Sequence, residues 1–364
     1  MHQALAQERE LMGQLFRPGD GEGEGLQGQL LDRVFEGVCR PFRVRVEQVL
    51  MSSPEVLVAF KLNNLLEFYH GTVQNIMGGG TTLAATIAGC QEMAARVFGE
   101  QLRLAGDKLL RSPGIPPSDL SPSVRFMDGL KLLLEILESQ DASLGAEKKE
   151  TSGPTFASRA IADAIAPLKQ FCEQSAAVLE GKGLDIGSVE YPEGAPHMYV
   201  VNCLVAMQTS LLPFRGATEH IAAISASIEA RVEALASEAV GRILATCGLE
   251  DRLARIRLYV EQQGVAQQQA GTMAQDDALR FEVVSGALRA LFSYVQSSAA
   301  GVLPTFVQIR AEKERGQTLD RTKALLFKAY RDVYEAVTDE ANGYGGKADA
   351  LSAYSADKFQ ELIG

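Results

Sequence analysis

The sequence has few histidines and cysteines, the residues that bind zinc or form redox pairs, and they do not stand at the spacing of a known metal motif. Its 364 residues include four histidines and five cysteines, with no CxxC or HExxH pattern. The cysteines are odd in number and widely spaced, which indicates reduced core residues of a cytosolic protein: Cys39, Cys90, Cys172, Cys203 and Cys247. We therefore expect no cofactor and no metal.

The sequence also lacks an excess of positive charge. It has 35 lysines and arginines against 46 aspartates and glutamates, a net charge of −11. A broad nucleic-acid surface needs clustered positive charge to displace counterions from phosphates, so nucleic acid is not an expected partner. Direct adhesion to an anionic membrane is disfavoured for the same reason.

No apolar run is long enough to cross a bilayer. The longest run, residues 198–207, contains Asn202 and has about half the necessary length. The first sixteen residues include Glu8, Arg9 and Glu10 and have no apolar signal core. We expect membrane association to be peripheral or through a partner.

Enzymatic motifs are missing or incomplete. The sequence GGGTT at residues 78–82 has no lysine after its last glycine and no preceding strand, so an interhelical turn is expected instead of a phosphate-binding loop. Asp276 and Asp277 are similar to paired magnesium ligands, but Leu279 and Arg280 stand where a further acid is needed. We expect an acidic pair on a solvated face, and a protein that is not an enzyme.

What the sequence has instead is helical periodicity along most of its length. Apolar residues three and four apart predict amphipathic helices, and the clearest set predicts one helix over residues 217–247 that ends before Gly248: Ile221, Ile224, Ile228, Val232, Leu235, Ala239 and Ile243. Residues 42–47 alternate as a strand would. Because no second strand pattern accompanies them, a helix opened by Pro41 is the preferred interpretation.

Helices this numerous must pack laterally to bury their apolar faces. No repeat of fixed period occurs, so we predict an all-α elongated rod of stacked antiparallel helical bundles rather than a strict solenoid. Polar or proline-rich connectors divide the chain into three predicted bundles, residues 1–110, 111–215 and 216–364.

Two groups of arginines are candidates for partner binding. Arg40, Arg43 and Arg45 surround Pro41, and Arg252, Arg255 and Arg257 form a second group. Guanidinium groups suit carboxylates on an acidic partner helix. The alternative is an ordinary solvated face on which nearby acids neutralise the arginines. The first group is our candidate partner-binding site.

Two segments carry a resemblance to a known family. EGVCRPFRVRVEQVL at residues 36–50 and KLNNLLEFYH at residues 61–70 resemble the C-terminal half of subunit 6 of the conserved oligomeric Golgi complex. Weaker collinear similarity continues to SADKFQELI at residues 355–363. The resemblance therefore spans nearly the whole chain.

The resemblance implies a structural subunit of a vesicle-tethering complex that acts in intra-Golgi retrograde transport. It implies sister subunits and SNARE proteins as partners, a peripheral location on the cytosolic face of the Golgi membrane, and no catalytic residues. Two alternatives remain open: a subunit of another rod-type tether such as the exocyst, and a general helical adaptor.

Overall fold

The computed structural model describes residues 2–15, 22–78, 80–142, 156–182, 185–186, 189–263, 273–298, 304 and 306–364. Across these residues the chain is built from α-helices joined by turns and short 3-10 segments. The first six helices are α1 (His2–Leu15), α2 (Glu22–Met51), α3 (Val56–Met77), α4 (Thr82–Leu110), α5 (Val124–Asp141) and α6 (Phe156–Lys182). The remaining six are α7 (Ala195–Leu211), α8 (Thr218–Thr246), α9 (Glu250–Gln263), α10 (Phe281–Ser298), α11 (Glu312–Thr338) and α12 (Ala356–Ile363). The all-α prediction is confirmed.

A small hairpin lies between α6 and α7. Its strands are β1 (Asp185–Ile186) and β2 (Val189–Glu190), which pair antiparallel with Asp185 opposite Glu190. The sequence analysis did not predict it, because two-residue strands are too short to show an alternating pattern.

Helix boundaries follow the predicted stop signals in two places. Helix α8 ends at Thr246, and Gly248 has a φ of 70°, a left-handed conformation that favours glycine. Helix α3 ends before Gly78, whose φ is 87°, and the Thr81 hydroxyl accepts a hydrogen bond from the backbone N–H of Ala84 at the start of α4. The described residues of this segment, Gly78 and residues 80–82, thus lie between the end of α3 and the first residue of α4, as the predicted interhelical turn requires; Gly79 lies outside the described residues.

Helix α2 differs from its prediction, because it runs through Pro41 instead of beginning there. Proline in a helix interior removes one hydrogen bond and costs about 3 kcal/mol. The apolar stripe of α2 continues on both sides, through Phe35 and Cys39 before the proline and through Val46 and Leu50 after it. Burial of these side chains offsets the cost, since each large apolar side chain contributes about 1.5–3 kcal/mol.

The chain divides into two compact units. The first unit comprises Met1–Gly114, Ser123–Gln174 and Met207–Ala222; the second comprises Ile115–Pro122, Ser175–Ala206 and Ala223–Gly364. The division into three bundles along the sequence remains a prediction.

The core of the first unit lies mainly between α2, α3 and α4. Helix α4 packs against both α2 and α3, and the shared cluster includes Leu31, Phe35, Cys39, Val46, Leu50, Leu66, Val73, Leu83, Ile87, Cys90 and Ala94. A second cluster joins the rings of Phe60, Phe98 and Phe156, with centroids 5.2–6.0 Å apart. All five cysteines of the chain are free thiols, and four of them are buried.

The core of the second unit is aromatic near its C-terminal helices. The rings of Tyr330 on α11 and Phe359 on α12 stack at 3.8 Å between centroids and 6° between planes. The hydroxyl of Tyr330 donates a hydrogen bond to the carbonyl of Tyr354 at 2.7 Å. Burial raises the pKa of the Tyr330 phenol well above its usual value. Tyr330 therefore stays protonated and keeps donating this bond at physiological pH.

Asn202 joins two loops to α7 within the second unit. Its Nδ2 donates to the carbonyls of Leu120, at 2.8 Å, and Gln308, at 2.7 Å, while its Oδ1 accepts from the backbone N–H of Arg310 at 2.9 Å. Arg310 also pairs with Asp119 at 2.6 Å. The one polar residue within the longest apolar run thus satisfies the backbone of two segments that have no regular secondary structure.

Changing Asn202 to Ala should destabilise the second unit by about 2–4 kcal/mol, because three backbone groups lose their partner. Urea denaturation followed by circular dichroism measures this loss. The control is Thr209→Ala, at an exposed position on the same helix, which should change stability by less than about 0.5 kcal/mol. Equal effects of the two variants would contradict the role given to Asn202.

Gly106 on α4 allows a close approach to α6 within the first unit. A Cβ atom at position 106 would lie 2.8 Å from Cγ of Pro167, a distance that requires one helix to move. Changing Gly106 to Ala should therefore destabilise the protein by about 1–3 kcal/mol.

The matched control is Gly99→Ala on the same helix. A Cβ atom at position 99 meets nothing within 4 Å, and alanine has the higher helix propensity, so this variant should gain about 0.5–1 kcal/mol. Opposite signs of the two changes in thermal denaturation midpoint are expected. A stabilising Gly106→Ala would show that α4 and α6 do not pack as closely as described.

Candidate partner-binding surface

The three predicted arginines are each exposed on α2, although they do not share one flank of the helix. One side of this helix is buried against α4 through Phe35, Cys39 and related residues. Arg40, Arg43 and Arg45 are exposed to solvent. Each of the three side chains is therefore accessible on the first unit, and their role in partner binding remains a prediction.

Helix geometry separates Arg43 from Arg45. Residues advance by roughly 100° around an α-helix, so two residues separated by two positions point in directions about 160° apart. Arg43 shares its flank with Glu47, and its Nε lies 2.7 Å from Oε1 of that glutamate. The hydrogen bond and the negative charge of Glu47 raise the pKa of Arg43. For Arg43, the alternative of a solvated face with neutralising acids therefore holds, and Glu47 is the neutralising acid.

Arg40 and Arg45 have no acidic partner among the described residues. The Nη1 atom of Arg45 donates to Oε1 of Gln48, an uncharged side chain, at 3.3 Å. Arg40 makes no hydrogen bond or ion pair with the described part of the chain. These two guanidinium groups remain available to a carboxylate of another molecule.

The sequence analysis missed a set of exposed valines on α2. Val34, Val38 and Val49 have exposed fractions of 54%, 40% and 36%. With Pro41 and Arg45 they are spaced by three or four residues, so they form one stripe along the helix. The signal was present in the spacing, but it could be separated from the core stripe only once the buried side of α2 was known.

The second arginine group is engaged within the second unit. Arg255 pairs with Asp276 at 3.4 Å, and Arg257 pairs with Asp332 on α11 at 3.2 Å. Arg252 donates to a backbone carbonyl at the end of α8. This group therefore connects α9 to its neighbours.

Asp276 and Asp277 also have structural partners. The Oδ1 atom of Asp276 accepts a hydrogen bond from the N–H of Ala278 at 2.9 Å, and its other oxygen contacts Arg255. Asp277 pairs with Arg280 and is exposed, whereas the side chain of Asp276 is only 18% exposed. The predicted acidic pair on a solvated face thus holds for Asp277, whereas Asp276 is largely buried by its contacts. Among the residues that the structure describes, no three His, Cys, Asp or Glu side chains are grouped as metal ligands.

One cleft of about 640 Å³ lies within the second unit. Met198 and Tyr294 are among its lining residues, together with Arg242. The guanidinium of Arg242 lies 3.0 Å from Glu193 and 2.8 Å from Glu238, so two carboxylates of the same unit balance its charge. This cleft therefore presents no unpaired arginine to a ligand.

Comparison with known proteins decides the family. The family model for the C-terminal region of conserved oligomeric Golgi complex subunit 6 matches residues 1–363. The chain belongs to this family. The resemblance found in the sequence is confirmed.

Relatives from distant eukaryotes carry the same description. Conserved oligomeric Golgi complex subunit 6 of Arabidopsis thaliana is 32% identical over 405 residues, covering 100% of this chain and 58% of the relative. The Bos taurus protein is 29% identical and the Homo sapiens protein 27% identical, each covering 94% of this chain and 49% of the relative. The chain thus spans about half the length of the curated relatives it matches.

Two solved structures share the fold. Exo70 of S. cerevisiae superimposes with a TM-score of 0.56 at 13% identity, covering 100% of this chain and 68% of that one. A second structure of exocyst subunit Exo70p gives 0.57 at 12% identity, covering 99% and 68%. The predicted fold class, stacked helical bundles as in multisubunit tethering complexes, is confirmed.

The two sides of α2 should respond differently to mutation. Phe35 is 7% exposed and packs in the core of the first unit, so Phe35→Ala should cost about 3–5 kcal/mol. Val38→Ala, on the exposed stripe, should change the free energy of unfolding by less than about 0.5 kcal/mol. Chemical denaturation of both variants tests the assignment, and a large loss in Val38→Ala would show that the valine stripe is covered within the chain.

Proposed function

We propose that this chain is a structural, non-enzymatic part of a vesicle-tethering complex at the Golgi. The family match over residues 1–363 carries the proposal. The likeness to an exocyst subunit supports it, because it shows a helical fold that is also used in another multisubunit complex. The proposed role of that complex is intra-Golgi retrograde transport.

The proposed mechanism is the holding of other proteins by helix surfaces. Packed helices keep an exposed helix face in a fixed position, because many apolar contacts hold each helix against its neighbours. Partners would be sister subunits of the conserved oligomeric Golgi complex and SNARE proteins, docking by helix-to-helix packing. Arg40, Arg43 and Arg45 are the proposed charged contacts with an acidic partner helix, Arg43 sharing its charge with Glu47.

The proposed location is the cytosolic face of the Golgi membrane, with peripheral attachment. In the described part of the chain, no helix has both the length and the apolar character needed to span a bilayer. Partner proteins would then supply most of the attachment, in line with the net charge of −11.

An exocyst-like subunit is the second candidate, favoured by the structural likeness alone. The structural neighbours are 12–13% identical to the chain, whereas the Golgi relatives named above are 27–32% identical. The likeness at low identity shows a common fold, so the sequence relationship favours the Golgi complex.

Affinity capture of the tagged protein, expressed from its own locus, tests the proposal. Quantitative mass spectrometry should find sister subunits of the conserved oligomeric Golgi complex enriched over a tag-only control, together with SNARE proteins of the Golgi. Enrichment of exocyst subunits would support the second candidate. Recovery of neither complex would contradict both and favour a general helical adaptor.

A further inference from the structure

Two bulky residues of the second unit have a backbone conformation that their side chains disfavour. Leu120 has a φ of 53° and Phe306 a φ of 48°. In this left-handed region Cβ lies too close to the following carbonyl oxygen, so large residues rarely adopt it. Both side chains are nevertheless buried. Contacts with the rest of the unit therefore hold both segments in a strained form.

The contacts that hold the two segments meet at one side chain. The carboxamide of Asn202 donates one N–H to the carbonyl of Leu120 and the other to that of Gln308. Its oxygen accepts a hydrogen bond from the backbone N–H of Arg310. A carboxamide is planar, so a rotation that breaks one of these bonds also misaligns the other two. Release of one segment therefore weakens the attachment of the other.

Each segment has few backbone hydrogen bonds of its own. Neither forms a helix or a strand. Among the described residues, each makes one backbone turn bond: the N–H of Leu120 donates to Pro117 at 2.9 Å, and that of Ile309 donates to Phe306 at 2.8 Å. Segments with so few backbone bonds can open at a lower free energy than packed helices.

Two further contacts attach the segments. The hydroxyl of Tyr191 donates to the carbonyl of Pro116 at 2.6 Å, a bond that only the first segment receives. Arg310 pairs with Asp119 at 2.6 Å and so connects the segments directly, but both side chains are exposed and solvent screens their attraction. The buried bonds of Asn202 are therefore the main connection between the two segments.

We propose that residues 116–120 and 306–310 form a two-state latch that Asn202 closes, and that both segments open together while the helices of the second unit stay folded. Opening relieves the left-handed conformation of two residues, which lowers the free energy of opening. The shared carboxamide makes the opening cooperative. The proposal does not depend on the function given above.

The latch also forms part of the wall of the cleft of about 640 Å³. Phe306, Val307 and Gln308 line this cleft, together with Met198 on α7. Opening of the latch removes the ring of Phe306 from the wall and changes the shape of the cleft. A ligand that binds one form better than the other shifts the whole equilibrium. Occupation of the cleft would then also move residues 116–120.

Hydrogen–deuterium exchange of the purified full-length protein tests the proposal. Mass spectrometry with electron-transfer fragmentation follows three hydrogen-bonded amides, those of Leu120, Ile309 and Arg310. When closing is fast, the exchange rate reports the opening equilibrium. We expect the three amides to share one protection factor. They should exchange at least about tenfold faster than the amide of Leu288, a buried residue of α10.

Two conservative variants each perturb one segment. Tyr191→Phe removes the hydrogen bond to Pro116, and it should accelerate exchange of all three amides by one common factor of at least about threefold. Ile309→Val shortens a buried side chain of the second segment. Because coupling is reciprocal, it should accelerate exchange at Leu120 by about threefold to tenfold, as much as at Arg310.

The matched control is Tyr344→Phe in the same unit. Tyr344 is also buried, and its hydroxyl donates to the carbonyl of Leu279 at 2.8 Å. This variant loses the same kind of bond outside the latch, so the three latch amides should exchange at their original rates. Circular dichroism checks that all three variants keep their helices.

Three results would overturn the proposal. Acceleration confined to the segment that carries or contacts the substitution would show that the segments open separately. Equal acceleration in Tyr344→Phe, or latch amides as slow as that of Leu288, would show that they exchange only when the whole unit unfolds. Unchanged exchange in both latch variants would show that neither contact limits opening.

Discussion

Burial of one apolar stripe per helix is the constraint on which the other features of this chain depend. An α-helix satisfies its backbone hydrogen bonds internally, so side-chain packing alone decides which helices lie together. In the first unit α4 meets both α2 and α3 in this way, and in the second α11 holds α12 through stacked aromatic rings. In α2, burial of the apolar stripe offsets the cost of Pro41 in the helix interior. The surfaces left open after this packing are where partners can bind.

This constraint explains which features the sequence could predict. Helical periodicity is local, so the all-α class and the end of α8 before Gly248 followed from the sequence alone. The contacts of Asn202 did not, because its hydrogen-bond partners lie between 82 and 108 positions away. A polar residue within an apolar run indicates that some buried backbone needs a partner. Only the fold shows that the backbone in question belongs to two separate loops.

The candidate surface was predictable in part, for a geometric reason. Arginines adjacent in sequence look like one cluster, but Arg43 and Arg45 point to nearly opposite flanks because a helix turns by about 100° per residue. Arg43 is neutralised by Glu47, while Arg45 lies among valines. Assigning those valines to an open surface requires knowledge of which stripe of α2 is buried. Helical phase could be read from the sequence, whereas burial required the structure.

The similarity to Exo70 at 12–13% identity bears on where specificity can lie. A shared fold at such low identity means that the packing arrangement tolerates many different sequences, provided that apolar volume and pattern are kept. Core residues then distinguish one tether subunit from another poorly. Exposed residues, which packing does not constrain, can distinguish one subunit from another. The valine stripe of α2 is of this kind: single exposed apolar residues are ordinary, but three in helical register with the exposed Arg45 serve no packing need within the described chain. Partner selection is the role that such a stripe can fulfil without altering the fold.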